Sequence, residues 1–206
     1  MPGQQPQAGS TALGELNRVS DALASAESIG AAYEVTVQGL CALSGADASY
    51  LFRADRADRL ARLVDVTPAE APSVRLEGIQ LLHELLRGAN SDSRQDRQRT
   101  GARLWPERPA ADVVVAPVGA GDTELGYACC VTHDGPEFSP EAVGLLRAAC
   151  NQAAMSIARL ELIERLTTHD RTADFFAALG SGGGAGASPP SLLLAETLAA
   201  QIQVSG

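Results

Sequence analysis

Cys129 and Cys130 are adjacent in an apolar run, with Cys41 and Cys150 far from them in the chain. A thiolate is a nucleophile and a soft metal ligand, so the pair could sense redox state or hold a metal. On a strand, however, neighbouring side chains diverge to opposite faces, which favours plain packing. None of the four has the CxxC or Cys/His spacing of a zinc site. No metal or other cofactor is required by the sequence, and the four read as small buried hydrophobes. His83 sits in a short periodic stretch and His133 follows an apolar run beside Asp134. Either imidazole could ligate haem or iron, yet neither has a second ligand nearby in sequence. Arg94, Arg97, Arg99, Arg103 and Arg108 crowd one polar stretch. Guanidinium forks suit carboxylates and phosphates, so these could clamp an anionic ligand. Asp92, Asp96 and Glu107 dilute the charge, and a solvated loop is the plainer reading. Tyr50, Phe52, Trp105 and Tyr127 are the large aromatics available to wall a pocket or fill a core.

Other chemistries find no residues. All sixteen cations are arginine, so Schiff-base lysines and a P-loop lysine are excluded. No Ser/His/Asp order, paired carboxylates or phosphate-cradling loop stands out, and Gly182-Gly183-Gly184 lies in a linker rather than between strand and helix. The net charge of −9 argues against nucleic-acid and anionic-membrane partners. No run approaches the roughly 20 apolar residues that span a bilayer, and the N-terminus lacks signal-peptide features. A cytoplasmic location follows as the expectation.

The elements that must position these residues are legible in outline. Residues 1–11 are Pro/Gln/Gly-rich and expected to be disordered. Leu16, Val19, Leu23 and Ala26 then recur at helical steps, and a second helix is expected from Ser28 to Leu43, stopped by Gly45. Ala48–Arg53 and Leu60–Val66 read as a hairpin, with a short strand at Ser73–Leu76 and a helix over Gly78–Leu86. The stretch Ala89–Ala111 is expected to be a loop followed by a short strand at Ala102–Trp105. Asp112–Val118 and Glu124–His133 form a second hairpin. In its second strand Leu125, Tyr127, Cys129 and Val131 face one way, and Gly126, Ala128, Cys130 and Thr132 the other. Neither set is charged, so helices are expected on both faces of an antiparallel sheet. Ser139 caps a long closing helix with Pro140 at its first position. Its stripe of Leu146, Ala149, Ala153, Ile157, Leu160 and Ile163 runs to about Leu166. Surplus apolar helix usually finds another helix, so a homodimer is expected. Residues 167–206 read as a helix extension, a Gly/Ser/Pro linker and a short amphipathic segment.

The order of Val115-Ala116-Pro117-Val118, then Glu124-Leu125-Gly126-Tyr127, then Pro136-Glu137-Phe138-Ser139-Pro140-Glu141 and Leu145-Leu146 is specific as a set. With Ala148 to Ala158 after it, this resembles the C-terminal half of the GAF domain, and the resemblance spans about residues 12–166. It implies an α+β fold, GAF/PAS-like, with an antiparallel sheet of five or six strands between helices and long terminal helices. It also implies a signalling module, a regulator of bacterial type, that binds a small molecule or a signalling partner and is not an enzyme. A ligand would meet Tyr50, Phe52, His83, Arg103, Trp105, Tyr127 and Cys129. A dimer seam would use Leu16, Val19, Leu23, Leu146, Ala153, Ile157 and Leu160. Bilin-binding members carry a cysteine next to histidine, whereas Val131 follows Cys130 here; cyclic-nucleotide binders use a lysine that this chain lacks. The methionine sulfoxide reductases of the family need loop cysteines, and none lies between Cys41 and Cys129. The alternatives are a ligand-free structural dimerisation module and a small cysteine-based redox enzyme.

Overall fold

The structure, a computed structural model, describes residues 6–55, 60–72, 79–120 and 123–181. Two compact units are present, residues 1–161 and residues 162–206.

In the first unit, helices α1 (Pro6–Ser25) and α2 (Ile29–Ser44) precede strands β1 (Ala48–Asp55) and β2 (Leu60–Thr67). Helices α3 (Ile79–Ala89) and α4 (Arg94–Leu104) follow, then β3 (Asp112–Ala120), β4 (Thr123–Thr132) and the start of α5 (Pro140–Ser181). The four strands are antiparallel in the order β2-β1-β4-β3. The sheet thus has four strands among the described residues; the expected strand at 73–76 lies outside them. α1 opens at Pro6, inside the stretch expected to be disordered. Proline is tolerated in a first helical turn, and Gln7 and Ala8 are good helix formers.

Local chemistry explains the boundaries. Ser28 caps α2 by accepting the Ala31 N–H at 3.1 Å, and Gly45 ends it in the left-handed region at φ 68°. Ser139 likewise accepts the Ala142 N–H at 3.1 Å and starts α5. The main departure is α4. The stretch expected as loop and strand is a helix, because Ser93 caps it through the Asp96 N–H and Arg94–Arg99 contains no Gly or Pro. Its few buried residues are Thr100, Gly101 and Leu104, too few for hydrophobic periodicity to announce it.

Alternate strand residues feed two cores. Leu51, Ala116, Val118, Ala128 and Cys130 pack with α1, α2 and α5 residues such as Leu23, Leu40, Leu146 and Ile157. Tyr50, Phe52, Val113, Val115, Cys129 and Val131 pack with Leu85 and Leu104 of α3 and α4. Helices on both faces, as expected, cover the uncharged strand. One residue changes sides: Leu125 joins the α1/α2/α5 core, because the β3–β4 register shifts between Val118 and Gly119 and breaks the alternation. Gly126 is required where it stands, since a Cβ there would collide with the Phe52 carbonyl.

The described part of the second unit is the remainder of α5. Leu162, Ile163 and Leu166 are exposed on it, at 58%, 52% and 57%.

Candidate functional site

The residues expected to line a pocket fall on the α3/α4 face. Tyr50 and Phe52 are fully buried there with rings stacked at 6.3 Å, and the Tyr50 hydroxyl donates to the Leu104 carbonyl at 3.3 Å. Cys129 is fully buried beside them. Trp105 and Tyr127 pack at the margin, half-buried. Arg103 turns to Glu84, at 2.6 Å, and is not among this group. His83 belongs to α3, and its side chain lies outside the described residues. The structure therefore brings Tyr50, Phe52, Cys129, Trp105 and Tyr127 together, but as packed core.

The arginine stretch is an ion-pair lattice rather than an open anion clamp. Arg97 Nε donates to Asp112 Oδ1 at 2.7 Å, and Arg97 and Arg94 both reach Glu137. Arg99 pairs with Asp96, and Arg108 with Asp134 at 2.8 Å. Asp112 is 3% exposed and also accepts the Phe138 N–H at 3.0 Å. This one carboxylate ties α4, the start of β3 and the approach to α5 together.

Beyond the end of α4, His133 is buried and edge-on to Trp105, with ring centres 5.0 Å apart. Its Nδ1 lies 3.0 Å from the Pro109 carbonyl, so Nδ1–H donates there, while Nε2 has no hydrogen-bond partner. Asp47 accepts the His133 N–H at 2.6 Å and the Thr132 hydroxyl at 3.3 Å. Burial opposes ionisation of Asp47, but those hydrogen bonds and the Arg108 and His133 charges hold its carboxyl below the usual carboxylate value.

The thiols are built to stay protonated. Burial pushes Cys41 up to about 12, with the Asp47 charge adding to it, and burial pushes Cys150 up to about 12. Cys129 and Cys130 are raised by burial first and then by neighbouring thiols. Among the described residues, no cluster of three or more His, Cys, Asp or Glu could hold a metal ion.

Among the described residues, two crevices open on the opposite, α2-facing side of the sheet. One, of about 10 Å³, has an apolar floor of Leu51, Val64, Val118, Leu125 and Ile157. At its rim Arg53 Nη2 donates to Glu161 Oε1 at 2.8 Å and Nη1 approaches the Tyr33 hydroxyl at 3.4 Å. It has room for about one water. The second is a groove of about 440 Å³ between Gly30, Tyr33, Glu34, Val37 and Gln38 of α2 and Val64–Thr67 and Ala69 at β2. Volumes of several hundred Å³ suit a ligand or a partner side chain. Glu34 and Asp65 face the same space: burial first, then the Glu34 charge, raises the Asp65 carboxyl above its usual value, against the Val66 N–H that lowers it.

Sequence reading missed Asp47, Asp112 and this groove. Asp65 did carry a signal, a charge inside the apolar run Leu63-Val64-Asp65-Val66.

A helix layer of α1, α2 and α5 on one sheet face, α3 and α4 on the other, and the hairpin β3–β4 at its edge match solved structures across most of this chain. The chain has the GAF fold. It is similar to the GAF domain of an Acinetobacter phosphoenolpyruvate-protein phosphotransferase, at 19% identity over 73% of this chain and 95% of that one, with TM-score 0.58. It is also similar to the GAF domain of a putative sensor histidine kinase from Pseudomonas syringae pv. tomato, at 14% identity over 79% and 96%, with TM-score 0.54. The photosensory core module of the Stigmatella aurantiaca phytochrome matches at 12% identity over 86% of this chain but 42% of that one, with TM-score 0.62. No family model and no curated protein matches the sequence. Among the described residues, no helix is long and apolar enough to cross a membrane.

Proposed function

We propose that this GAF-fold chain is a non-enzymatic sensory or regulatory module that acts as a homodimer through the exposed row on α5. The row carries the reading. Leu162, Ile163 and Leu166 are more than half exposed on a helix, and Leu162, Leu166, His169 and Ala173 follow steps of four, three and four. That spacing is a coiled-coil seam, and an uncovered seam of this kind is stabilised by a second copy. The expected seam needs reassignment. Val19, Leu23, Leu146, Ala153, Ile157 and Leu160 are buried in the chain's own core, with Leu16 packed against it, so they are spent on the sheet. Among the described residues of the first unit, Leu13 of α1 and Met155 of α5 are the exposed large hydrophobics.

State would pass to the seam through α1 and α5. Ser156 donates to the Leu23 carbonyl at 2.6 Å, and Arg159 to the Ala24 and Ala26 carbonyls at 3.0 and 3.3 Å. These α5 side chains satisfy the open carbonyls that end α1, so the two helices move as one body. A partner protein reading that motion fits a module of the kind found in a sensor kinase or a phytochrome, and the cytosol is the compartment proposed. Analytical ultracentrifugation of the wild type and of Leu162→Asp/Leu166→Asp tests this. A dimer that becomes a folded monomer is expected; a wild-type monomer overturns it.

The ligand-free dimerisation module remains the second reading, favoured by the close burial of Tyr50, Phe52 and Cys129 where a ligand was expected. Native mass spectrometry separates the two, since a sensor retains a small molecule and a structural module shows only protein mass.

A further inference from the structure

The α2–β2 groove lies on the sheet face opposite Tyr50, Phe52 and Cys129, and the helical seam does not use it. Its shape follows from one irregularity. Leu51 opposes Asp65 and Phe52 opposes Leu63, leaving Val64 without a partner across the ladder. Such a bulge turns two successive side chains to one face. Leu63 and Val66 accordingly pack on the α3/α4 core, while Val64 packs on the α1/α2/α5 core and Asp65 lines the groove. A regular strand would have sent Val64 and Asp65 to opposite sides.

Opposite the bulge, α2 presents Tyr33, Glu34, Val37 and Gln38. The groove is thus apolar at its base, with two carboxylates above it. Gln38 Nε2 donates to Glu34 Oε1 at 3.0 Å, and Asp65 Oδ1 accepts the Val66 N–H at 2.8 Å. A carboxylate can accept about four hydrogen bonds, so both retain acceptor capacity. Asp65 is partly buried and faces the like charge of exposed Glu34, so a cation placed between them is favoured.

Length and charge select the occupant. From Gly30 to Gln38 the α2 wall runs about 12 Å at 1.5 Å per residue. It is open along that length, whereas small-molecule sites enclose most of their ligand. The chain's own C-terminal residues 182–206 offer apolar Leu192-Leu193-Leu194, but their one charged side chain is Glu196, of the wrong sign. We propose that the groove docks a segment of a partner protein that places an arginine or lysine side chain between Glu34 and Asp65 and lays apolar neighbours on Tyr33 and Val64. This stands apart from the helical dimer and survives its failure.

The test is a ¹H–¹⁵N NMR titration of the full chain with three probes: acetyl-Leu-Arg-Leu-methylamide, its citrulline counterpart, and acetyl-arginine-methylamide. The arginine tripeptide is expected to shift the amides of Tyr33, Glu34, Val37, Val64 and Asp65, and to bind about fivefold more tightly than either control. Glu34→Gln/Asp65→Asn should weaken it by about fivefold, and Gln38→Glu, which adds a carboxylate at an exposed position, should tighten it by about twofold. Equal binding of the citrulline peptide overturns cation recognition. Equal binding of acetyl-arginine-methylamide makes the groove a small-cation site and overturns peptide docking. Shifts confined to other residues overturn the location.

Discussion

The two faces of the sheet use the same strands and reach opposite electrostatic solutions. On the α3/α4 side, ionised groups are paired: Arg97 with buried Asp112 and with Glu137, and Arg108 with Asp134 at the surface, while Asp47 accepts from the His133 and Thr132 donors. On the α2 face Arg53 pairs with Glu161, but Glu34 and Asp65 share a groove with each other. Charge that has been matched inside the chain holds elements in place. Charge left facing its own sign is available to an outside cation. The aromatic residues that looked like pocket walls lie on the satisfied side, where they are packed. Among the described residues, the groove between α2 and β2 opens on the other.

This contrast can be broken most sharply at Arg97. Arg97→Ala leaves the buried Asp112 carboxylate without its ion-pair partner, and a loss of about 3–5 kcal/mol is expected in urea unfolding. Adding Asp112→Asn should recover part of it, and no recovery would mean that the pair does not organise this face. Gly126→Ala, which would drive a Cβ into the Phe52 carbonyl and disturb both faces at once, should cost about 3 kcal/mol.

Asp47 and Asp65 sharpen the comparison through pH. The Asp47 carboxyl is held low, so its contribution is fully present above the unfolded-state value of about 4 and is lost as pH falls through the lower folded value. Asp47→Asn should cost about 1–3 kcal/mol at neutral pH and flatten the acid limb of a denaturation profile. Asp65 is raised, so the sign reverses: stability is lost as pH rises from the unfolded to the folded value, and none is regained above it. Asp65→Asn should therefore be neutral or stabilise by up to about 1 kcal/mol at pH 7. A marked destabilisation would mean that the groove carboxylate has a partner within the fold. The smallest expected signal is chemical. With Cys129, Cys130 and Cys150 buried and raised by that burial, mild peroxide or a thiol reagent should leave these three unmodified in the native chain and label them once it is denatured.

Much of the fold was legible because burial imposes a period. The caps at Ser28 and Ser139, the stop at Gly45, both hairpins and the uncharged alternation of β4 each report a local constraint that a few residues satisfy. α4 was illegible for the converse reason. It is held by ion pairs and by close approach of Gly101 to Ala110 and of Thr100 to Gly88, and neither leaves a stripe in the sequence. The expected site residues were the aromatic, histidine and cysteine side chains with recognisable chemistry, and the fold spent Tyr50, Phe52 and Cys129 on its core.

Composition and periodicity alone therefore determined the helix-sheet-helix layering, the antiparallel hairpins, the exclusion of lysine chemistry and the excess of apolar helix at the C-terminal side. Those properties depend on residue type and spacing along one element. Which strand residue faces which core, which arginine meets which carboxylate, and where the open groove lies were decided only by tertiary structure. A single-residue bulge at Val64 or Leu125 reverses the alternation that sequence assumes, and ion pairs such as Arg97 with Asp112 join residues from elements that meet only once the sheet is built.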